Sequence, residues 1–369
     1  MMQLLRRRAY ARAGLIGNPS DGYYGKTISF SVRDFYAEVV LYEWDRLEIV
    51  LSQEDRSSFR NVRELSRDVA LHGYYGGVRL VKATIKKFVE YCERHGHTLH
   101  DQNFSIRYAS NIPRQVGLAG SSAIIVATLR SLMDFYQVGI DRRIQPSLAL
   151  SVEAEELGIG AGLQDRVVQV YEGVVAMDFS EDHMSNLQGF QCGTYKYVDS
   201  QKLPPVYLAF RTDLSEPTEV FHNDLRERYQ RGDSAVVDAM SQFAHLTEEA
   251  KQAIENGEAD KLAAAIDANF DLRQSICRLH PGHVEMIQHA RSAGVSAKYA
   301  GSGGAIVGTL PDPNTFQRLA TNLAAIGCRV IRPRITNQMN YPEWLDEESP
   351  SPQPPARSDS TQSLQPGSD

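Results

Sequence analysis

The stretch Asn111-Ile-Pro-Arg-Gln-Val-Gly-Leu-Ala-Gly-Ser-Ser-Ala123 joins a strand to a helix through a loop that carries two glycines, and the rest of the chain has to fold around that junction. Upstream, Phe104, Ile106 and Tyr108 alternate with Ser105, Arg107 and Ala109, the period of a half-buried strand. Downstream, Ile125, Leu129, Leu132 or Met133, and Tyr136 recur at the spacing of a helix with one face in a core. Gly117 and Gly120 let the backbone bend close to a ligand. Ser121 and Ser122 can cap the helix, and the free N–H groups of its first turn, with the helix dipole behind them, make an anion-binding cradle. An ordinary capped helix has the same signature, so this stretch alone leaves both readings open.

At 369 residues and 42% hydrophobic content the chain can form two packed domains or one large one. A formal net charge of −7 with no evident basic face speaks against a nucleic acid or an anionic membrane as partner and favours small-molecule chemistry. Cys92, Cys192, Cys277 and Cys328 are scattered, without a C-x-x-C pair, which suits reduced thiols in the cytoplasm better than a disulfide frame or a zinc site. No apolar run reaches membrane-spanning length. Arg6-Arg7-Arg8 precedes no signal-like segment and reads as a solvated lead-in to the first strand.

Taken in order, Ala9 to Ile16, Thr27 to Val32, Ala37 to Trp44 and Leu47 to Leu51 read as strands, with a turn-rich loop Gly17-Asn-Pro-Ser-Asp21-Gly-Tyr-Tyr-Gly25 after the first. Ser20 to Thr27 comes within one residue of a Walker A motif, but a P-loop must open a helix and Gly25-Lys26-Thr27 opens an alternating strand, so that reading fails. Residues 51 to 75 are irregular, and a helix follows from Val78 to Arg94. Ser147 to Leu157 reads as a helix bearing Glu153, Glu155 and Glu156, closed by Gly158. Asp165 then falls in the first turn of a helix that starts at Leu163, where the dipole favours a carboxylate. Strands are expected at Val174 to Phe179 and Val206 to Phe210. Helices follow at Phe221 to Gln230, Val236 to Glu255, Asp260 to Leu279 and His283 to Ser292. Two strands flank the loop Gly301-Ser302-Gly303-Gly304, and a helix from Asn314 to Ala325 and a strand from Cys328 to Ile331 complete the fold. The expected organisation is an N-terminal domain over residues 1–205, a C-terminal domain over 206–345 and a Pro- and Ser-rich tail over 346–369 without apolar anchors.

Three separated stretches, in this order, resemble the GHMP small-molecule kinases. They are Arg8 to Asp21, the run Pro113-x-x-x-Gly117-Leu118-Ala119-Gly120-Ser121-Ser122-Ala123, and Lys298-Tyr-Ala-Gly301-Ser302-Gly303-Gly304. Within that superfamily the runs Gly17-Asn-Pro-Ser-Asp21, Asn111-Ile-Pro-Arg-Gln115, Gly162-Leu-Gln-Asp-Arg166 and Gly301-Ser-Gly-Gly304 look most like plant-type glucuronokinase. The resemblance implies an α+β fold of two domains, an N-terminal ribosomal-S5-like mixed sheet with helices and a helix-rich, ferredoxin-like C-terminal domain. It also implies an ATP- and Mg²⁺-dependent kinase that phosphorylates the anomeric hydroxyl of D-glucuronate. A related heptose-phosphate or arabinose kinase, or a catalytically silent sugar-binding relative, stands as the alternative; the oligomeric state stays open.

The resemblance also distributes roles. Asp165 is implied as the catalytic aspartate and Arg12 as its cationic partner. Pro113 and Gly117 to Ala123 are implied to hold the nucleotide phosphates, and Ser122 and Glu153 the metal, with Glu155 and Glu156 as rivals of Glu153. Asp21 is implied to accept from sugar hydroxyls, and Gly301, Ser302 and Gly303 to line the substrate side. An acidic sugar also needs a cation for its carboxylate, for which a bidentate arginine is best suited. Arg114 and Arg166 flank core motifs, and Arg33, Arg226, Arg228 and Arg273 are further candidates. Asn18-Pro19 replaces the Glu-His that galactokinase and mevalonate kinase carry in the first motif, which argues against those two substrates.

Overall fold

A computed structural model describes residues 4–50, 76–213 and 225–335. The expected irregular loop over 51–75 and the tail over 346–369 lie outside the described residues. Strand β1 (Leu4–Ile16) pairs antiparallel along its length with β2 (Lys26–Trp44). The other edge of β2 carries β5 (Val174–Asp178) against residues 26–30 and β4 (Asn103–Ser110) against residues 37–44. Strand β3 (Glu48–Ile49) adds to β4 in parallel, and β8 (Thr194–Tyr197) closes the sheet beyond β5. The two strands expected at 27–32 and 37–44 are therefore one. The register jumps from Tyr10↔Tyr36 to Ala11↔Val32, so residues 33–35 bulge out of the ladder without ending the strand.

Helix α1 (Gly77–Arg94) and helix α2 (Gly120–Tyr136) pack together on this sheet. The expected single apolar stripe understates α2, whose buried set Ser122–Leu129 plus Ser131, Leu132 and Phe135 runs around most of its circumference. The small residues Ala123, Ala127, Thr128 and Ser131 fill the side that a stripe would leave polar. The Thr128 and Ser131 hydroxyls donate back to the carbonyls of Ile124 (2.8 Å) and Ala127 (2.9 Å), so burial leaves neither unsatisfied. Helix α3 (Gln145–Ser151) runs into a π turn over Val152–Glu156, and α4 (Gln164–Tyr171) follows after a short loop. A small hairpin, β6 (Ser185–Leu187) and β7 (Phe190–Cys192), was not expected from the sequence. It turns on Gln188 and Gly189, both at positive φ, without the Asn-Gly or Asp-Gly pair that flags such turns.

A second, antiparallel sheet has the order β10 (Lys298–Tyr299), β11 (Ala305–Thr309), β9 (Val206–Phe210), β12 (Arg329–Ile331). Helix α5 (Ser234–Asn256) lies against β1 and β2 of the first sheet and against α6 (Ala259–Ile276), whereas the second sheet is packed by α6, α7 (Pro281–Ser292) and α8 (Thr315–Ala324). The Asp233 side chain caps α5 by accepting from Ala235 N–H, and Gly257 at positive φ ends it. Of the helix expected from Phe221 to Gln230, residues 225–230 are helical and the rest lies outside the described residues. The largest core cluster runs through both sheets, from Ala13, Phe30 and Ile125 to Leu208, Ala250, Ile266 and Val307. The backbone bond from Gly14 N–H to the Ala300 carbonyl (2.7 Å) and the edge-on rings of Phe35 and Phe210 also join them.

Candidate active site

The buried end of β1 brings in Arg12, whose side chain links its own stretch to the other two singled out in the sequence and to Asp165. Its Nε and Nη2 donate to Asp165 Oδ1 at 2.8 and 2.5 Å, and its Nη1 to the carbonyls of Gly117 (3.2 Å) and Ala300 (2.5 Å). The Arg12 backbone N–H adds a bond to the Leu118 carbonyl at 3.2 Å. A guanidinium only 4% exposed is tolerable because a carboxylate and two carbonyls surround it.

The two glycine-rich loops meet backbone to backbone. A Cβ at Gly301 would lie 2.1 Å from the Gly117 carbonyl oxygen, and one at Gly117 would lie 2.8 Å from the Ser302 nitrogen. Gln115, Gly117 and Ala119 all have positive φ. For Ala119, the residue that opens α2, this is a strained left-handed conformation. It is held by the Ala119 carbonyl, which accepts from the Gln169 side chain (2.8 Å), the Ser122 hydroxyl and Ala123 N–H. The kinked loop opens α2, a nearly buried seventeen-residue helix, whose first N–H groups have no acceptor within the helix and are suited to an anion.

Three glutamates competed for one role in the sequence, and the π turn separates them. Glu155 and Glu156 lie at the surface and pair with Lys87 (2.8 Å) and Lys86 (2.5 Å) of α1. Glu153 turns inward, only 2% exposed, accepts from the Ser121 hydroxyl at 2.8 Å and forms an ion pair with Arg166. It is Ser121, rather than Ser122, whose hydroxyl meets this carboxylate; Ser122 is fully buried and turned back on Ala119. Arg166 also donates to the Gly162 carbonyl (2.8 Å) and reaches Asp165 Oδ2 at 3.4 Å. Burial, with the Arg12 charge beside it, lowers Arg166 to about 9, so it keeps its charge at neutral pH and neutralises Glu153.

Asp165 lies in the first turn of α4, as its spacing predicts, and Asp21 faces the same region from the short 3₁₀ turn Ser20–Gly22. Gly162 makes this approach possible, since a Cβ there would lie 2.2 Å from Asp21 Oδ2. Desolvation first, and the Asp165 charge second, raise the Asp21 carboxyl to about 6; Arg12 and the Gln164 N–H pull the other way. Lys26, of the near-Walker run, pairs with Glu248 (2.6 Å) and Asp178 (2.9 Å) in β2 and takes no part in this site.

Sequence reasoning named Arg273 only as a candidate for the sugar carboxylate and did not foresee the buried polar layer that supports the loops. Lys298 Nζ donates to the carbonyls of Gly14 and Tyr299 (2.8 Å each) and to Asn18 Oδ1, three acceptors for the three N–H groups of an ammonium. Burial, with the Arg273 and Arg12 charges, pushes its pKa well down. Asn269 accepts from Gly17 N–H (2.6 Å) and donates to the Asn18 carbonyl (3.2 Å), and Arg273 donates to the carbonyls of Gly301 (2.8 Å) and Ser302 (3.0 Å). The available signal was Asn269 and Arg273 at i, i+4 on the same face of α6 as Leu262, Ile266 and Phe270, a polar break in an apolar stripe. Arg114 is exposed on the phosphate-side loop. Among the described residues no group of three or more His, Cys, Asp or Glu side chains could hold a metal unaided. A magnesium ion that arrives with phosphate oxygens needs fewer protein ligands, and the converging Ser121 hydroxyl and Glu153 carboxylate have the hard oxygen donors such an ion takes.

Comparisons with known proteins agree with this architecture. Residues 79–173 match the model of the GHMP kinases N terminal domain. Over 315 residues the chain is 41% identical to glucuronokinase 1 of Arabidopsis thaliana, covering 84% of this chain and 85% of that protein. It is 43% identical over 317 residues to probable glucuronokinase 2 of the same plant, with the same coverage. The fold also matches the crystal structure of Lactococcus lactis galactokinase complexed with galactose, with a TM-score of 0.73 at 14% identity over 91% of this chain and 94% of that one. An α+β fold whose three glycine-bearing stretches close on one buried arginine, together with identity above 40% across most of two relatives, leads to one assignment: the chain belongs to the glucuronokinase group of the GHMP kinase family.

Proposed function

We propose that this protein transfers the γ-phosphoryl group of ATP to the anomeric hydroxyl of D-glucuronate. The observation that carries the reading is the convergence on Arg12 of the phosphate-side loop, the Gly301–Gly304 loop and Asp165. Phosphoryl transfer demands alignment and charge stabilisation more than covalent chemistry, and the parts divide along those lines. The N–H groups from Gly117 to Ser122 at the start of α2 receive the nucleotide phosphates. Glu153 and the Ser121 hydroxyl that meets it would hold magnesium, which offsets phosphate charge when bound, while Ser122, for which the resemblance implied that role, is buried against Ala119. Asp21 accepts from sugar hydroxyls and sets the ring. Asp165 orients the attacking hydroxyl and receives its proton, while Arg12, paired with it, offsets negative charge on the transferring group. Gly301, Ser302 and Gly303, braced by Arg273, close the substrate side. The cytoplasm is the compartment we assign, since all four cysteines are free thiols.

The test is ADP release across a panel of uronic acids and neutral sugars, with ³¹P NMR of the product. A 1-phosphate formed from glucuronate is the expected result. Turnover of a neutral sugar with none for any uronic acid would overturn the assignment.

A further inference from the structure

A glucuronate carboxylate entering this site meets Asp21 and Asp165, two negative groups, and needs a cation set apart from them. Most of the nearby guanidinium groups are already engaged. Arg12 holds Asp165 and two carbonyls, Arg166 holds Glu153 and the Gly162 carbonyl, and Arg273 holds the carbonyls of Gly301 and Ser302. Arg228 is taken by Asp233 and the Ile276 carbonyl, and Arg33 by the Tyr10 hydroxyl. Arg114 stands on the phosphate-side loop and is not free.

Arg226 is different. It lies in the helical segment 225–230, its side chain exposed, with no hydrogen bond or ion pair to a described residue. Leu225 beside it is buried in the same small cluster as Tyr23, the residue two positions beyond Asp21 in the sugar-side loop. Tyr229, one helical turn after Arg226 on the same face, packs its ring against that of Tyr23 at 4.8 Å between centroids. The helix thus clamps the loop through Tyr23 and holds Arg226 over it. Its charge acts on the Tyr23 hydroxyl more strongly than any other neighbour's. Tyr23 is only 7% exposed, and its hydroxyl makes no hydrogen bond to a described residue. An arginine fork next to a phenol O–H, neither bonded to another described residue, is a donor set that suits a carboxylate.

We infer that Arg226, with the Tyr23 hydroxyl beside it, grips the carboxylate of the sugar acid and makes this site select uronic acids over neutral sugars. The inference rests on the reading that glucuronate is the acceptor. Arg226→Gln is expected to raise KM for glucuronate by about 10- to 100-fold, the range of a lost charge-assisted hydrogen bond, with kcat within about threefold and KM for ATP unchanged. Glucuronamide, which keeps the hydroxyls and lacks the charge, is measured alongside as a competitive inhibitor, and its inhibition constant is expected not to move. Tyr23→Phe, which retains the ring contact, is expected to shift glucuronate in the same direction by about 3- to 10-fold. Arg231→Gln and Arg278→Gln, which remove the same charge from nearby exposed positions, are expected to do neither. Equal effects on glucuronate and glucuronamide would make Arg226 merely structural, and an unchanged KM, or an equal rise from either charge control, would refute its role. Failure of the wild-type protein to phosphorylate glucuronate would instead refute the substrate reading itself.

Discussion

Asp21→Asn separates what the site needs from what the fold prefers. The Asp21 carboxyl titrates near 6 in the folded chain against an ordinary 3.8, because burial and the facing Asp165 disfavour its charge. A carboxyl whose folded pKa lies above its unfolded value destabilises the fold once it is forced to ionise. The penalty is absent below about pH 4, grows as pH rises towards 6 and is complete above 6. At about 1.4 kcal/mol per pH unit the ceiling is about 3 kcal/mol, and the partial exposure of Asp21 brings the expected value to about 1–2 kcal/mol. Asparagine has no charge to desolvate and can still accept from Gln164 N–H. The variant is therefore expected to be more stable than wild type by that amount at pH 7.5 and indistinguishable from it at pH 4, measured by urea unfolding at both values. Turnover moves the other way. Without an anionic acceptor for the sugar hydroxyls, kcat/KM for the sugar should fall by about 10- to 100-fold at pH 7.5 while KM for ATP holds. Equal stabilisation at both pH values would show that the gain is not electrostatic. A loss of stability at pH 7.5 would refute the reasoning outright.

Asp165→Asn is expected to lower kcat by at least about 100-fold with nucleotide affinity nearly intact, read from single-turnover kinetics and calorimetric ATP binding; loss of ATP binding would mean that Asp165 is structural. Gly301→Ala drives a methyl into the Gly117 carbonyl 2.1 Å away, so the two loops must part; ATP affinity should fall about tenfold or more, measured by calorimetry. Glu153→Gln strands the buried Arg166 charge and should cost about 3 kcal/mol of stability in denaturant unfolding, whereas Glu155→Gln, at the surface with Lys87, should cost less than about 1 kcal/mol. Lys298→Met leaves the acceptors Gly14 O, Asn18 Oδ1 and Tyr299 O without their donor; a loss of about 3 kcal/mol in unfolding, with KM for the sugar raised more than KM for ATP, is expected from its hold on the sugar-side loop.

What could be read from the sequence follows from periodicity and from residue types with few uses. The helix after Gly120, the position of Asp165 in a first turn and the strand character of Lys26-Thr27 all follow from local patterns, and the structure has them in those places. Two kinds of feature escape such reading. The first is a break in register, such as the bulge at residues 33–35 that keeps β2 whole or the π turn that points Glu153 inward while Glu155 and Glu156 point out. One residue more or less per turn reverses which side chain is buried, and composition is blind to it. The second is the buried polar layer. Lys298, Asn269 and Asn18 look like solvent-facing residues in sequence, and only the carbonyls of distant loops gathered around them make burial affordable.

The division of charge explains why so many of these residues must be inside. Phosphates need donors, and the phosphate side offers backbone N–H groups, which carry no net charge and can be buried without a counter-ion. On the proposed reading the sugar side has Asp21 and Asp165 as acceptors for hydroxyls, two carboxyl groups that disfavour each other's charge. Among the described residues, Arg12 is the one side chain bonded to Asp165, to the carbonyl of Gly117 and to that of Ala300 just before the Gly301–Gly304 loop. A lysine there would supply the charge but not the fork, and would satisfy one of the three partners at the expense of another. Arg12→Lys should therefore keep the fold and lose alignment, with kcat falling more than either KM rises. A variant that lost substrate affinity at unchanged kcat would show that Arg12 serves binding alone.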